Sequence, residues 1–180
     1  MSITPPKPNF RPVQEVRWAR FTNKPPFVVR PQRRGRKAQG IRYEHKVQGC
    51  LSERFPEKYL PSPWIVFDDG DCERVRYCQP DGLIIDLERG RVTIVEIKLQ
   101  HTPHAWWQLR WLYLPVVRAL FAADHLWQYE VVEVVRWYDP AISFPEPVAL
   151  CAEVDNVPAG KFRKWQWQWK STATSESSYL

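Results

Sequence analysis

Gln79-Pro80-Asp81-Gly82-Leu-Ile-Ile-Asp86 and, after the turn Glu88-Arg-Gly-Arg91, Val92-Thr-Ile-Val-Glu96-Ile-Lys98-Leu-Gln100 form the stretch on which the fold turns. Two β-rich runs around a Gly-containing turn predict an antiparallel hairpin. Side chains alternate along a strand, so Glu96 and Lys98 share one face with Ile94 and Gln100, while Val95, Ile97 and Leu99 take the other. Asp81 follows Pro80 at the start of the preceding strand, where the hairpin brings its carboxylate beside Glu96. Two carboxylates in one place raise one another's pKa unless a cation intervenes. Lys98 supplies one positive charge, and a divalent metal would supply more. A lone Glu-x-Lys on a strand is usually a surface ion pair; the Asp across a short turn is what makes this one a candidate site.

Working outward, Trp64–Phe67 reads as a strand closed by the acidic turn 68–71, and 128–137 as another. Val148–Val154 is a candidate last strand. Residues 102–114 read as a helix with Thr102 as N-cap and Pro103 in its first turn, ended or kinked by Pro115. Residues 38–55 are helical in pattern, with Pro56, Pro61 and Pro63 beyond. At about 100° per residue, Tyr43, Val47, Cys50, Leu51 and Phe55 share an arc, and Glu44 falls inside it near Leu51. A charge among core positions is costly unless it is paired or binds a metal. The bland alternative is a helix turned so that Glu44 sits at its rim. Helices and strands in this order predict an α/β arrangement, with a mixed sheet of four to five strands flanked by helices.

The flanks differ in composition from this centre. The 180 residues carry a net charge of +6, yet residues 1–46 hold 12 Lys or Arg against Glu15 and Glu44, leaving −4 for the remainder. Prolines at 5, 6, 8, 12, 25, 26 and 31 make residues 1–37 an extended basic arm, with Arg33, Arg34, Arg36 and Lys37 clustered at its end. Such a concentration suits a polyanion binder and equally a solubilising arm. The four cysteines form no CxxC pair, which favours reduced, buried thiols over structural zinc. No apolar run approaches the roughly 18 residues of a membrane span, and no signal-peptide pattern opens the chain, so a cytoplasmic protein is expected. Residues 156–180 begin basic and Trp-rich (161–170) and end in a polar tail. Their tryptophans either stack on bases or pack an edge strand on the core.

Gln79-Pro80-Asp81-Gly82 followed by Glu96-Ile97-Lys98 resembles the PD-(D/E)XK nuclease superfamily, the likeness covering about residues 38–138. The resemblance implies a restriction-endonuclease-like core within the domain 38–155. It implies Mg²⁺, replaceable by Mn²⁺, held by Asp81 and Glu96 with Glu44 reaching in from the first helix, and Lys98 orienting or activating the attacking water. DNA is the implied partner and phosphodiester hydrolysis the implied reaction. Endonucleolytic, structure-directed cutting in recombination, junction resolution or phage and mobile-element DNA processing is expected, with homodimers or larger assemblies frequent. Close rivals are a transposon-end-cutting subunit and a catalytically idle nuclease fold that only binds DNA. Gln100, His104 and Gln108 are possible supporting residues, His104 being otherwise an exposed first-turn residue. The RecB-like branch carries Gln-x-x-x-Tyr on this helix. Here one more residue separates Gln108 from Tyr113, which on a regular helix puts them on different faces.

Overall fold

A computed structural model describes residues 11–28, 35–70, 74–100, 102–122, 127–137, 155–157 and 160–168. In chain order the elements are β1 (Trp18–Thr22), α1 (Gly35–Arg54), β2 (Tyr59–Pro61), β3 (Trp64–Asp68), β4 (Arg76–Cys78), β5 (Gly82–Asp86) and β6 (Arg91–Gln100). There follow α2 (Pro103–Gln108), a π-helical turn (Leu109–Tyr113), α3 (Leu114–Leu120), β7 (Gln128–Trp137), β8 (Asp155–Val157) and β9 (Gly160–Gln168).

The fold is mixed α/β with two sheets. The larger runs β2-β5-β6-β7-β9-β8, and the smaller β1-β3-β4. The β5–β6 hairpin forms as its sequence predicts, with Gly82 opposite Val95 and Gly90 in the turn at φ 57°. β7 lies parallel to β6, which requires the crossover supplied by α2, the π-turn and α3. The expected single sheet of four to five strands is two sheets: the strand read at Trp64–Phe67 is β3 of the smaller one, and β2 and β8 of the larger, at three residues each, carry too little pattern to be seen.

Strand alternation sorts the core into two layers. Val92 and Ile94 of β6 join Tyr129 and Val131 of β7 under Trp106, Leu109, Tyr113 and Val116 of the α2–α3 segment. Val95 and Ile97 join Val132 and Val134 against Tyr43, Val47 and Leu51 of α1. The buried positions of α1 therefore follow the arc read from its sequence.

Two further expectations need correction. Residues 11–22, assigned to an arm, belong to the folded unit: β1 pairs antiparallel with β3, and Val13 is buried in the core. Prolines forbade a helix there but did not forbid an edge strand. The Trp-rich segment, set apart as 156–180, contributes β9, which is no edge strand, lying between β7 and β8. Of the two outcomes expected at Pro115, an end or a kink, the helix does not end. A π-turn precedes it, with the Leu114 N–H reaching back to the Leu109 carbonyl. Pro115 has no N–H to offer the Trp111 carbonyl four residues back. That carbonyl instead accepts the Val13 N–H at 2.7 Å. The candidate strand Val148–Val154, like Arg33 and Arg34, lies outside the described residues.

Because Val13 fills the core, Val13→Ala should destabilise the protein by about 2 kcal/mol through lost burial and a residual cavity. Urea unfolding measures this, and an unchanged midpoint would return residues 11–22 to the status of a solvated arm.

Candidate active site

The core layer under α2 and the π-turn is apolar along β6 until Glu96 and Lys98. The hairpin register, continued one residue past Gly82–Val95, sets Asp81 opposite Glu96 on this same face. The three side chains converge. The Lys98 ammonium contacts a Glu96 carboxylate oxygen directly and stands 3.9 Å from Asp81 Oδ2. Asp81 Oδ2 also accepts the Ile97 N–H at 2.6 Å, beyond the end of the β5 ladder.

Four parts of the fold pin the turn that carries Asp81. Its carbonyl accepts from Gln48 Nε2 on α1 (2.9 Å), the Tyr59 hydroxyl on β2 (3.3 Å) and the Ser62 N–H (3.1 Å). Two residues earlier, the Gln79 carbonyl accepts the Tyr113 hydroxyl at 3.1 Å, while Gln79 Nε2 donates to the Ser62 carbonyl. Ser62 holds φ at +44°, unusual for a residue other than glycine. Gly82 must be glycine, because a Cβ there would overlap the Tyr59 ring.

Burial sets the electrostatics. Glu96 is 2% exposed, and its Oε2 has no hydrogen-bond partner among the described residues. Desolvation, then the Asp81 charge, push its carboxyl up to about 8, with Lys98 pulling the other way. Asp81 is also raised, by burial, against the lowering effect of Lys98 and the Ile97 N–H. Burial alone would lower Lys98, but Glu96 and Asp81 outweigh it and the amine is held above its ordinary value.

Glu44 stands half-buried on α1 with Oε1 3.5 Å from Gln48 Nε2, and its charge is felt at Lys98 and Tyr59. His104 is half-buried on α2, its pKa lowered by burial and then by the Lys98 charge, so it is no free first-turn side chain. Gln100 is exposed at the end of β6, and Arg36 and Lys37 are exposed in the first turn of α1. Gln108 and Tyr113, expected on different faces, meet at 3.5 Å. The π-turn makes a separation of five residues equivalent to four on a regular helix. Among the described residues no three His, Cys, Asp or Glu side chains form a ready metal cage.

Two residues carry signals that the sequence reading passed over. Gln48 follows Glu44 by one helical turn and so shares its face. Glu133 interrupts Val-Val-Glu-Val-Val on β7; it is 0% exposed, and it is the register partner of Glu96 in the parallel pair. Its charge adds to the upward push on Glu96.

No protein-family model, curated protein or solved structure matches the chain. Among the described residues, no helix is long and apolar enough to cross a membrane.

The Glu96 shift has a signed consequence for the metal-free protein. Its folded value of about 8 lies above the ordinary 4.5, so the proton is bound more tightly in the folded state. The resulting stability is fully present below 4.5 and lost as pH rises through about 8. Thermal unfolding in chelator should show this decline, and Glu96→Gln should flatten it. A decline of equal slope in the variant would assign it to other groups.

Proposed function

We propose that the chain is a metal-dependent nuclease of the PD-(D/E)XK type, acting on DNA phosphodiesters with Asp81, Glu96 and Lys98 as its reacting centre. The observation that carries the reading is the buried, unpartnered Glu96 Oε2, set beside Asp81 and a single ammonium at the end of an apolar strip. Ionised together, the two carboxylates exceed the one ammonium by a negative charge, which a further cation would balance. Mg²⁺ commonly takes only one or two protein carboxylates, keeping waters and substrate oxygens for its other positions, so the Asp81–Glu96 pair fits it without a third ligand. When bound, such an ion neutralises phosphate charge and lowers the pKa of a water.

The residues of the chain divide the remaining work. Lys98, with its raised pKa, is an ammonium at neutral pH and so serves to stabilise developing negative charge and to hold a water in line, rather than to take a proton. His104, lowered, is neutral there and has hydrogen-bonding capacity at the α2 side. Gln48, Tyr59 and Tyr113 hold the Asp81 turn in place. The exposed Arg36 and Lys37, with Arg33 and Arg34 next to them in sequence, suit phosphate contacts outside the centre.

Branched, single-stranded and linear duplex DNA offered with Mg²⁺ or Mn²⁺ should reveal cleavage of at least one form. Lys98→Ala should lower the rate by at least about 100-fold, with DNA affinity nearly unchanged, because its contribution is made in the transition state. Asp81→Asn should weaken both metal binding and cutting. Wild type that binds DNA and cuts none of these substrates would leave an idle nuclease fold in a binding or assembly role.

A further inference from the structure

The smaller sheet turns Ala19, Ile65, Phe67 and Cys78 toward the core, so its opposite face carries Trp18, Arg20, Trp64, Val66 and Tyr77. On that face Val66 is buried and Trp64 half-buried, while Trp18 is 39% exposed and Tyr77 37%. Phe27, 65% exposed, meets the Tyr77 ring edge-on at 5.4 Å. Phe27, Val75 and Tyr77 line a groove of about 680 Å³ rimmed by Arg74 and Arg76. The Arg20 guanidinium lies 5.5 Å from the Trp18 ring centre. Folding gains nothing from leaving three aromatic rings in water, and a patch of this kind marks a binding surface.

Charge selects the occupant. Arg20 at the Trp18 ring and Arg74 at the groove are exposed, as are Arg17 and Lys24 on the segment that carries Trp18 and Phe27, and Glu15 is the one exposed acid on segments 11–28 and 74–77. Of the neighbouring acids among the described residues, Asp68 accepts the Gly70 N–H and Asp69 is paired with Arg76, while Asp71 and Glu73 lie outside the described residues. Rings interleaved with cations on a sheet face match the π-faces and phosphates of unpaired nucleotides. Chain continuity points the same way. Phe27 precedes the basic run Arg30, Arg33, Arg34, Arg36 and Lys37. Tyr77 stands four residues before Asp81, at most about 14 Å away even fully extended.

We infer that the outer face of the β1–β3–β4 sheet is a stacking platform for single-stranded DNA, seating unpaired bases on Trp18, Phe27 and Tyr77 next to the Asp81 centre. This deepens the nuclease reading, on which the direction of the strand toward Asp81 rests. The substrate is then DNA with an unpaired segment, such as a fork, flap or overhang, rather than uninterrupted duplex.

The test is fluorescence anisotropy of labelled oligothymidine and of a blunt duplex, with Lys98→Ala in every protein to prevent cutting. Phe27→Ala with Tyr77→Ala should weaken single-strand binding by about tenfold or more and leave duplex binding and the salt slope unchanged. Tyr77→Phe should bind as the parent does, since it retains the ring. A double variant with the parent's melting temperature that holds oligothymidine equally well would overturn the platform, leaving a protein partner as its occupant. Failure of the parent to bind oligothymidine would overturn it too, whatever the protein cuts. Binding that depends on these rings, in a protein that cuts no DNA, would uphold the platform and remove the nuclease reading alone.

Discussion

Placing two carboxylates and an ammonium on a strand face that is otherwise packed with Val, Ile and Trp is the constraint around which the molecule is organised. Desolvating these groups costs several kcal/mol each, and a buried ion pair rarely repays that in stability. The site is therefore held by the fold rather than holding it. The tolerance is small. A slip of one residue between β5 and β6 would turn Glu96 and Lys98 into the α1 layer and put Val95 and Ile97 in their place. The Asp81 turn is guarded against such a slip by hydrogen bonds from α1, β2, the Ser62 loop and the π-turn. No single element positions the site; it lies where all of them meet.

The parts of this arrangement that were legible in the sequence are those in which a local period carries the information. Alternation along 82–100 predicts the hairpin, its faces and the neighbourhood of Asp81 and Glu96. The 100° period of α1 predicts its buried stripe, whereas Glu44, placed inside that arc, stands only half-buried. Thr102 is the N-cap of α2, its hydroxyl accepting the Ala105 N–H. What stayed hidden depends on partners far apart in the chain. Nothing local in Gln48 announces the Asp81 carbonyl 33 residues away. Glu133 acquires meaning only through its register with Glu96. A proline-rich beginning reads as an arm until β3 is present to pair with Trp18–Thr22.

The Gln108–Tyr113 pair shows how a spacing rule can fail while its physics holds. Counting residues presumes a regular helix, and the extra residue then separates the two side chains. The π-turn absorbs that residue, so the geometric relation survives a change in the count. Pro115, which in isolation predicts a break or a kink, coincides with a wider turn where the Trp111 carbonyl finds another donor. Motif spacings along helices are thus better read as sets of faces, with one residue of slack wherever a proline or a π-turn allows the helix to widen.

The hydrogen bond from Val13 to the Trp111 carbonyl joins points about 100 residues apart, and this separation orders events during folding. Hairpin and helices close over short loops, whereas joining distant segments must first overcome a larger loss of chain entropy. The helix through Pro115 is left with an exposed carbonyl until the amino-terminal segment arrives. On a ribosome residues 11–22 are synthesised before β3 and the π-turn with which they pair. β1 has β3 to wait for, and Val13 has the π-turn. Over that interval the opening segment is unpaired chain with apolar residues in water, the stage at which a chaperone or a misplaced strand edge competes for it.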